Sequence, residues 1–114
     1  MTELRPKRPR AARYALVANI TLTDLETGHQ TSERTLDLSM FGCHVVPGKV
    51  SPIGTRVRLQ ISHSGELFEA LGRVANVRAT TGIGLVFIKV EGRNQLVLER
   101  WLSELRKNAA RSHS

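Results

Sequence analysis

Two short segments carry residue types suited to gripping or transforming a small molecule: Arg10-Ala11-Ala12-Arg13 and Asp37-Leu38-Ser39-Met40-Phe41-Gly42. A guanidinium is a planar, permanently charged fork of donors that matches phosphate oxygens and the paired acceptors on a purine edge. A carboxylate only accepts hydrogen bonds, whereas a hydroxyl both donates and accepts. Glycine lets the backbone turn sharply or approach a ligand closely. These are binding chemistries. The catalytic readings are poorer. Asp37, Ser39 and His44 include the types of a nucleophilic triad. Asp37 and Ser39 are only two apart on an extended chain, however, and cannot by themselves place a histidine between carboxylate and hydroxyl. There is no Gly-x-Ser-x-Gly elbow, P-loop or dinucleotide fingerprint. His29, His44, His63 and His113 lack metal-ligand spacing, and one cysteine makes a zinc site improbable. The sequence therefore predicts no enzyme, no metal and no cofactor.

The charge balance agrees with a binding role. The net charge is +7 over 114 residues, which favours an anionic partner. Arg5, Lys7, Arg8, Arg10 and Arg13 crowd the first thirteen residues, and Arg106, Lys107 and Arg111 form a smaller group near the end. A solvated tail explains such clusters as simply as a binding arm does. No apolar run reaches the ~20 residues of a membrane span. The first residues also lack the apolar stretch of a secretory signal. The lone Cys43, in an apolar setting, suits a reducing compartment. The cytoplasm is the expected location.

The elements that must position the two segments read as mainly β. Residues 1–12 are polar, basic and proline-containing, and are expected to form a flexible arm. Leu16, Ala18, Ile20 and Leu22 share one parity, as in a half-buried strand beginning at Tyr14. The turn Asp24–Gly28 leads to a second strand near Thr31–Leu38, followed by a short one at Cys43–Val46. Two prolines and two glycines make 47–54 a loop. Val57, Leu59 and Ile61 alternate with polar residues in the fourth strand. His63-Ser64-Gly65 turns the chain into a longer strand to about Val77, in which Gly72 predicts a bend or bulge. The last strand is Ile83–Ile88. Leu98, Trp101, Leu102 and Leu105 then fall on one helical stripe, with Asn94 as expected N-cap. The expected architecture is a small six-stranded antiparallel β-barrel over 13–107 with one C-terminal α-helix at about 94–107. Residues 108–114 are expected to fray. Trp101 should anchor the helix in the barrel, with Phe41 and Phe87 in the core.

The segment Asp37–Gly42 fits Asp/Asn-x-Ser-x-x-Gly, the motif of PilZ domains. The order of features along roughly Arg8 to Leu105 also resembles that family. A basic arm, an alternating strand and the motif are followed by Pro52-Ile53-Gly54-Thr55, another alternating strand, Gly84-Leu85-Val86-Phe87 and a terminal helix. The resemblance implies a receptor for cyclic di-GMP, a ring of two guanosines joined by two phosphates. It also implies a site made of Arg8, Arg10, Arg13, Asp37, Ser39 and Gly42, and a protein effector in trans. One departure is plain. PilZ domains carry Arg-x-x-x-Arg before the first strand, but here Arg10 and Arg13 are one residue too close, and Arg8 and Arg13 one too far apart.

Other readings stand beside this one. Asp37-Leu38-Ser39 at a strand end also fits a turn whose side chains bond nearby backbone N–H groups. A nucleotide-free adaptor that binds only protein would explain the altered arginine spacing. A basic barrel for nucleic acid is less favoured, because one Trp, one Tyr and three Phe give few stacking surfaces. Arg56 and Arg58, on the wet face of their strand, are most simply solvated, although they could border a ligand or protein surface.

Overall fold

The computed structural model describes residues 11–46, 51–78 and 82–112, without the side chains of 111 and 112. Arg8 and Arg10 lie outside the described residues, as do most of the expected arm and the last two residues of the expected frayed tail. Among the described residues seven strands precede one helix: β1 (Tyr14–Ala15), β2 (Asn19–Asp24), β3 (Gln30–Leu38), β4 (Gly42–Val46), β5 (Arg56–His63), β6 (Glu66–Arg78), β7 (Gly82–Lys89) and α1 (Arg93–Ser112). All pairings are antiparallel. The order β3-β2-β5-β6-β7-β4 closes on itself through β3–β4, and β1 is appended to β3. This is the expected six-strand barrel, with one strand more.

The extra strand arises because the alternating run from Tyr14 to Leu22 does not pair continuously. Tyr14 and Ala15 pair with Leu38 and Asp37, and pairing with β3 resumes at Asn19 opposite Arg34. The break is stitched by Thr35, a fully buried polar residue. Its hydroxyl donates to the Leu16 carbonyl at 2.6 Å and accepts from the Ala18 N–H at 2.9 Å. Its backbone N–H reaches the Ala18 carbonyl at 2.9 Å. Leu16 and Ala18 still point inward, which is why hydrophobic parity alone suggests one strand.

Local chemistry sets the hairpins. The Asp24 carboxylate accepts from the N–H groups of Glu26 and Thr27 at 2.8 and 3.2 Å, fixing the β2–β3 turn. Ser64 and Gly65 have φ of 53° and 76° and form a two-residue link between the paired His63 and Glu66. Positive φ at both positions twists the hairpin in the sense of its strands. The inward row is Ile20, Leu38, Val45, Leu59, Ile61, Phe68, Val74 and Ile83. Gly72 lies beside a register shift in the β6–β7 pairing, as its position in a long strand predicts.

Trp101 closes one end of the barrel. It is buried, lies edge-on to His63 with ring centroids 5.2 Å apart, and sits 6.1 Å from Phe68. Its indole N–H donates to Glu66 at 3.3 Å, while Arg100 holds the other Glu66 oxygen at 2.8 Å. The expected stripe is confirmed, with Val97 added to Leu98, Trp101 and Leu102 among the buried residues. Asn94 does not cap the helix. Its amide oxygen accepts from the Glu69 N–H at 2.9 Å and its nitrogen donates to the Glu91 carbonyl at 3.2 Å, tying the helix start to β6. The helix also continues past Lys107 to Ser112.

Cys43 is buried in the β4 core row. Burial, reinforced by the Asp37 charge, pushes its thiol up from 9.0 to about 12. Only the unfolded chain can then ionise it as the pH rises past about 9, so its contribution to stability is complete below that pH and is lost toward 12. Thiol reagents are expected to spare Cys43 in the folded protein and label it at the rate of unfolding. Rapid labelling at neutral pH would show that β4 opens locally.

Candidate ligand-binding site

β3 and β4 bring the two chemically distinctive segments together. Asp37 on β3 pairs with His44 on β4, and Asp37 also pairs with Ala15 on β1. β1 therefore lies directly beside the motif. Arg13, one residue before β1, donates from Nη1 to Asp37 Oδ1 at 3.0 Å. The same nitrogen lies 3.3 Å from His44 Nδ1. Asp37 Oδ1 also accepts the His44 backbone N–H at 3.1 Å, leaving Oδ2 with only His44 Nδ1 at 3.5 Å. The Arg13 side chain is 50% exposed and that of Asp37 24%, so the pair is held at the surface and open to a ligand.

Ser39 and Gly42 line the cleft described below and are bonded to each other within the segment. The Ser39 hydroxyl accepts from the N–H groups of Phe41 and Gly42 and donates to the Gly42 carbonyl, all at 3.2 Å. The Ser39 N–H reaches the same carbonyl at 2.8 Å. The segment is thus a self-bonded turn ending in a strand. No His44 nitrogen is among the Ser39 hydroxyl's partners. Gly42 meets the backbone of β7 so closely that a Cβ there would lie 2.0 Å from the Leu85 carbonyl oxygen. Its missing side chain is required by the barrel wall.

An open cleft of about 660 Å³ lies over these strands, within the range of small-molecule sites. Arg13, Phe41, His44, Asn76, Arg78 and Val86 are among the residues that line it. His44 and Asn76 of its lining belong to one cross-strand row, Asn76–Gly84–His44–Asp37, that spans four strands. Phe41 is 49% exposed and stands beside the cleft instead of in the core, because the Ser39 turn points it outward. A second cavity, about 380 Å³, opens among the core side chains Leu22, Val57, Val74 and Ile83. Its described lining contains no lysine or arginine, so it suits an anion less well than the cleft does. No group of residues capable of holding a metal ion occurs among the described residues. No described helix is long and apolar enough to cross a membrane.

The model of the PilZ domain matches residues 5–104. The chain belongs to the PilZ domain family. Solved structures agree on the fold. The PilZ domain of YcgR from Escherichia coli, solved with c-di-GMP, is 16% identical, with a TM-score of 0.69 over 94% of this chain and 98% of that one. The PilZ domain of CeSA from a cellulose-synthesizing bacterium is 19% identical, with a TM-score of 0.63 over 83% and 98%. The inhibitor of motility MotI/DgrA of Bacillus subtilis is 16% identical, with a TM-score of 0.72 over 92% of this chain but 54% of its own. No curated protein matches the sequence.

Within this PilZ domain, the sequence singles out Arg13 and Asp37 but gives no sign that Asn76 and Arg78 line the same cleft as Arg13. The reason is a β-bulge. Leu67, Glu69, Leu71 and Arg73 face outward along β6, so simple alternation would continue through Ala75 and Val77. Register shifts between Val74 and Asn76, however, and turns Asn76 and Arg78 out and Val77 in. His44 was visible only as a triad type, and only the β3–β4 register shows it to be the neighbour of Asp37.

Proposed function

We propose that this PilZ domain is a cyclic di-GMP receptor that performs no catalysis and acts in the cytoplasm on a protein effector in trans. The observation that carries the proposal is the exposed Arg13–Asp37 pair, whose arginine lines a cleft together with Arg78. The ligand has two phosphates and two guanine edges. Arg13 offers guanidinium donors beyond the one bonded to Asp37, able to fork onto guanine O6 and N7 or onto phosphate. Asp37 Oδ2 is available to accept guanine N–H groups. Ser39 and Gly42 contribute by shape, holding Phe41 and the cleft lining in place. Arg8 and Arg10 precede Arg13 closely enough to reach the same ligand, since each residue spans up to ~3.6 Å.

Calorimetry with cyclic di-GMP tests this directly. Saturable heat is expected below about 100 μM ligand, and Arg13→Ala and Asp37→Ala should each weaken binding by about tenfold or more, roughly 1.4 kcal/mol. Arg13→Lys should fall between, because it keeps the charge and loses the fork. Absence of heat with folded protein, or equal affinity in both alanine variants, sinks the reading. The altered arginine spacing favours one alternative, an adaptor without nucleotide. A partner captured equally with and without cyclic di-GMP would support that instead.

A further inference from the structure

We propose that the outer face of β5 and β6 is a docking surface for an acidic protein segment bearing aliphatic side chains. This rests on the reading that the domain acts through a partner protein, but not on nucleotide binding. Arg56 and Arg73 are direct cross-strand partners. Like charges placed opposite one another in a sheet repel and destabilise it. Arg58 lies two residues along β5 on the same face, and all three are exposed. None of the three side chains makes a hydrogen bond or ion pair with a described residue.

The nearby carboxylates are occupied or fail to reach. Glu69, further along the same face, accepts from the Gln60 amide. Asp24 is used by its turn, and Glu26 forms no ion pair with a described residue. The fold therefore keeps a cationic cluster with no direct ion pair to a described residue, which an incoming carboxylate would neutralise.

The neighbours of these arginines select the kind of polyanion. Leu71 pairs with Arg58 and Val86 with Arg73. Ile88, the extra residue where β7 slips against β6, is 51% exposed. Arginine among aliphatic side chains is the composition of a protein interface, where arginine is over-represented among the residues that dominate affinity. No aromatic ring points outward in this cluster to stack a nucleotide base. Both edges of the β5–β6 pair are hydrogen-bonded, to β2 and β7. A partner must therefore dock through side chains and cannot add a strand. Val86 also pairs with Gly42 and lines the cleft, so the surface and the cleft share a wall.

The test uses the full chain and a fluorescein-labelled peptide of Glu-Glu-Leu repeats, read by anisotropy at about 0.15 M salt. The triple variant Arg56→Ser/Arg58→Ser/Arg73→Ser is expected to bind this peptide about tenfold more weakly or worse, with cyclic di-GMP affinity changed by less than about twofold. Arg13→Ala should show the reverse pattern, so failure of the nucleotide reading remains distinguishable from failure of this one. Arg73→Ser alone should raise Tm by roughly 1–5 °C, as relief of a like-charge pair predicts. The proposal is overturned by unchanged peptide binding in the triple variant. It is equally overturned if the wild type fails to bind the peptide at about 100 μM, binds a random oligonucleotide of the same charge as tightly, or is more stable than Arg73→Ser.

Discussion

Replacing Trp101 by alanine is expected to lower stability by about 3–5 kcal/mol, the usual cost of removing a large buried aromatic side chain. A domain of this kind has only about 5–15 kcal/mol in hand, so Tm should fall by roughly 10–20 °C. The indole packs between the helix and Phe68 and His63, and its N–H shares Glu66 with Arg100. Its loss opens one end of the barrel and removes the helix's main anchor at once. Trp101→Phe should cost less, since it keeps most of the volume and gives up only the bond to Glu66. Chemical denaturation of the three proteins checks this ordering. A change below about 1 kcal/mol for the alanine variant would mean that the helix is not structurally coupled to the barrel.

Gly42→Ala is expected to cost at least the 1–3 kcal/mol typical of overpacking, roughly at the upper end. The new methyl would stand 2.0 Å from a backbone carbonyl oxygen, and no side-chain rotation can relieve that contact. β4 and β7 must separate locally, and those are the strands that place His44 and Val86 in the cleft. Ligand affinity should therefore fall in protein that is still folded. Thermal denaturation and calorimetry on the same sample separate the two effects. Ser39→Ala is the useful comparison, since it deletes the turn's hydroxyl bonds without adding bulk. A Gly42→Ala protein of wild-type stability would show that the wall yields more easily than its geometry allows.

Much of the barrel was legible because its alternation is strong. Val57, Leu59 and Ile61, and later Leu98, Trp101 and Leu102, all point where their spacing predicts. Failures occurred where a side chain interrupts the backbone ladder. Thr35 breaks the first strand in two, and nothing in its local sequence distinguishes it from any strand threonine. Asn94 prefers the Glu69 N–H to the helix N-terminus, a choice made by tertiary packing. The Ser39 turn sends Phe41 outward although its residue type suggests the core. The site was half visible: Arg13 and Asp37 advertise themselves by type, while Asn76 and Arg78 reach the cleft only through a bulge that no spacing rule reveals.

Strand β1 has a mechanical consequence. It is fastened to the sheet by two residue pairs, Tyr14 with Leu38 and Ala15 with Asp37, supplemented by one exposed ion pair and by the packing of Tyr14 against the core. Each backbone bond contributes about 1 kcal/mol net and an exposed ion pair about 0–1 kcal/mol. Pulled from its N-terminal end, β1 would peel like a zipper, one pair at a time, while β3 stays clamped by β4 on its other side. Releasing it is therefore a local opening far cheaper than unfolding the barrel. β1 is built as a latch, and a ligand bridging Arg13 and the cleft would act as its bolt.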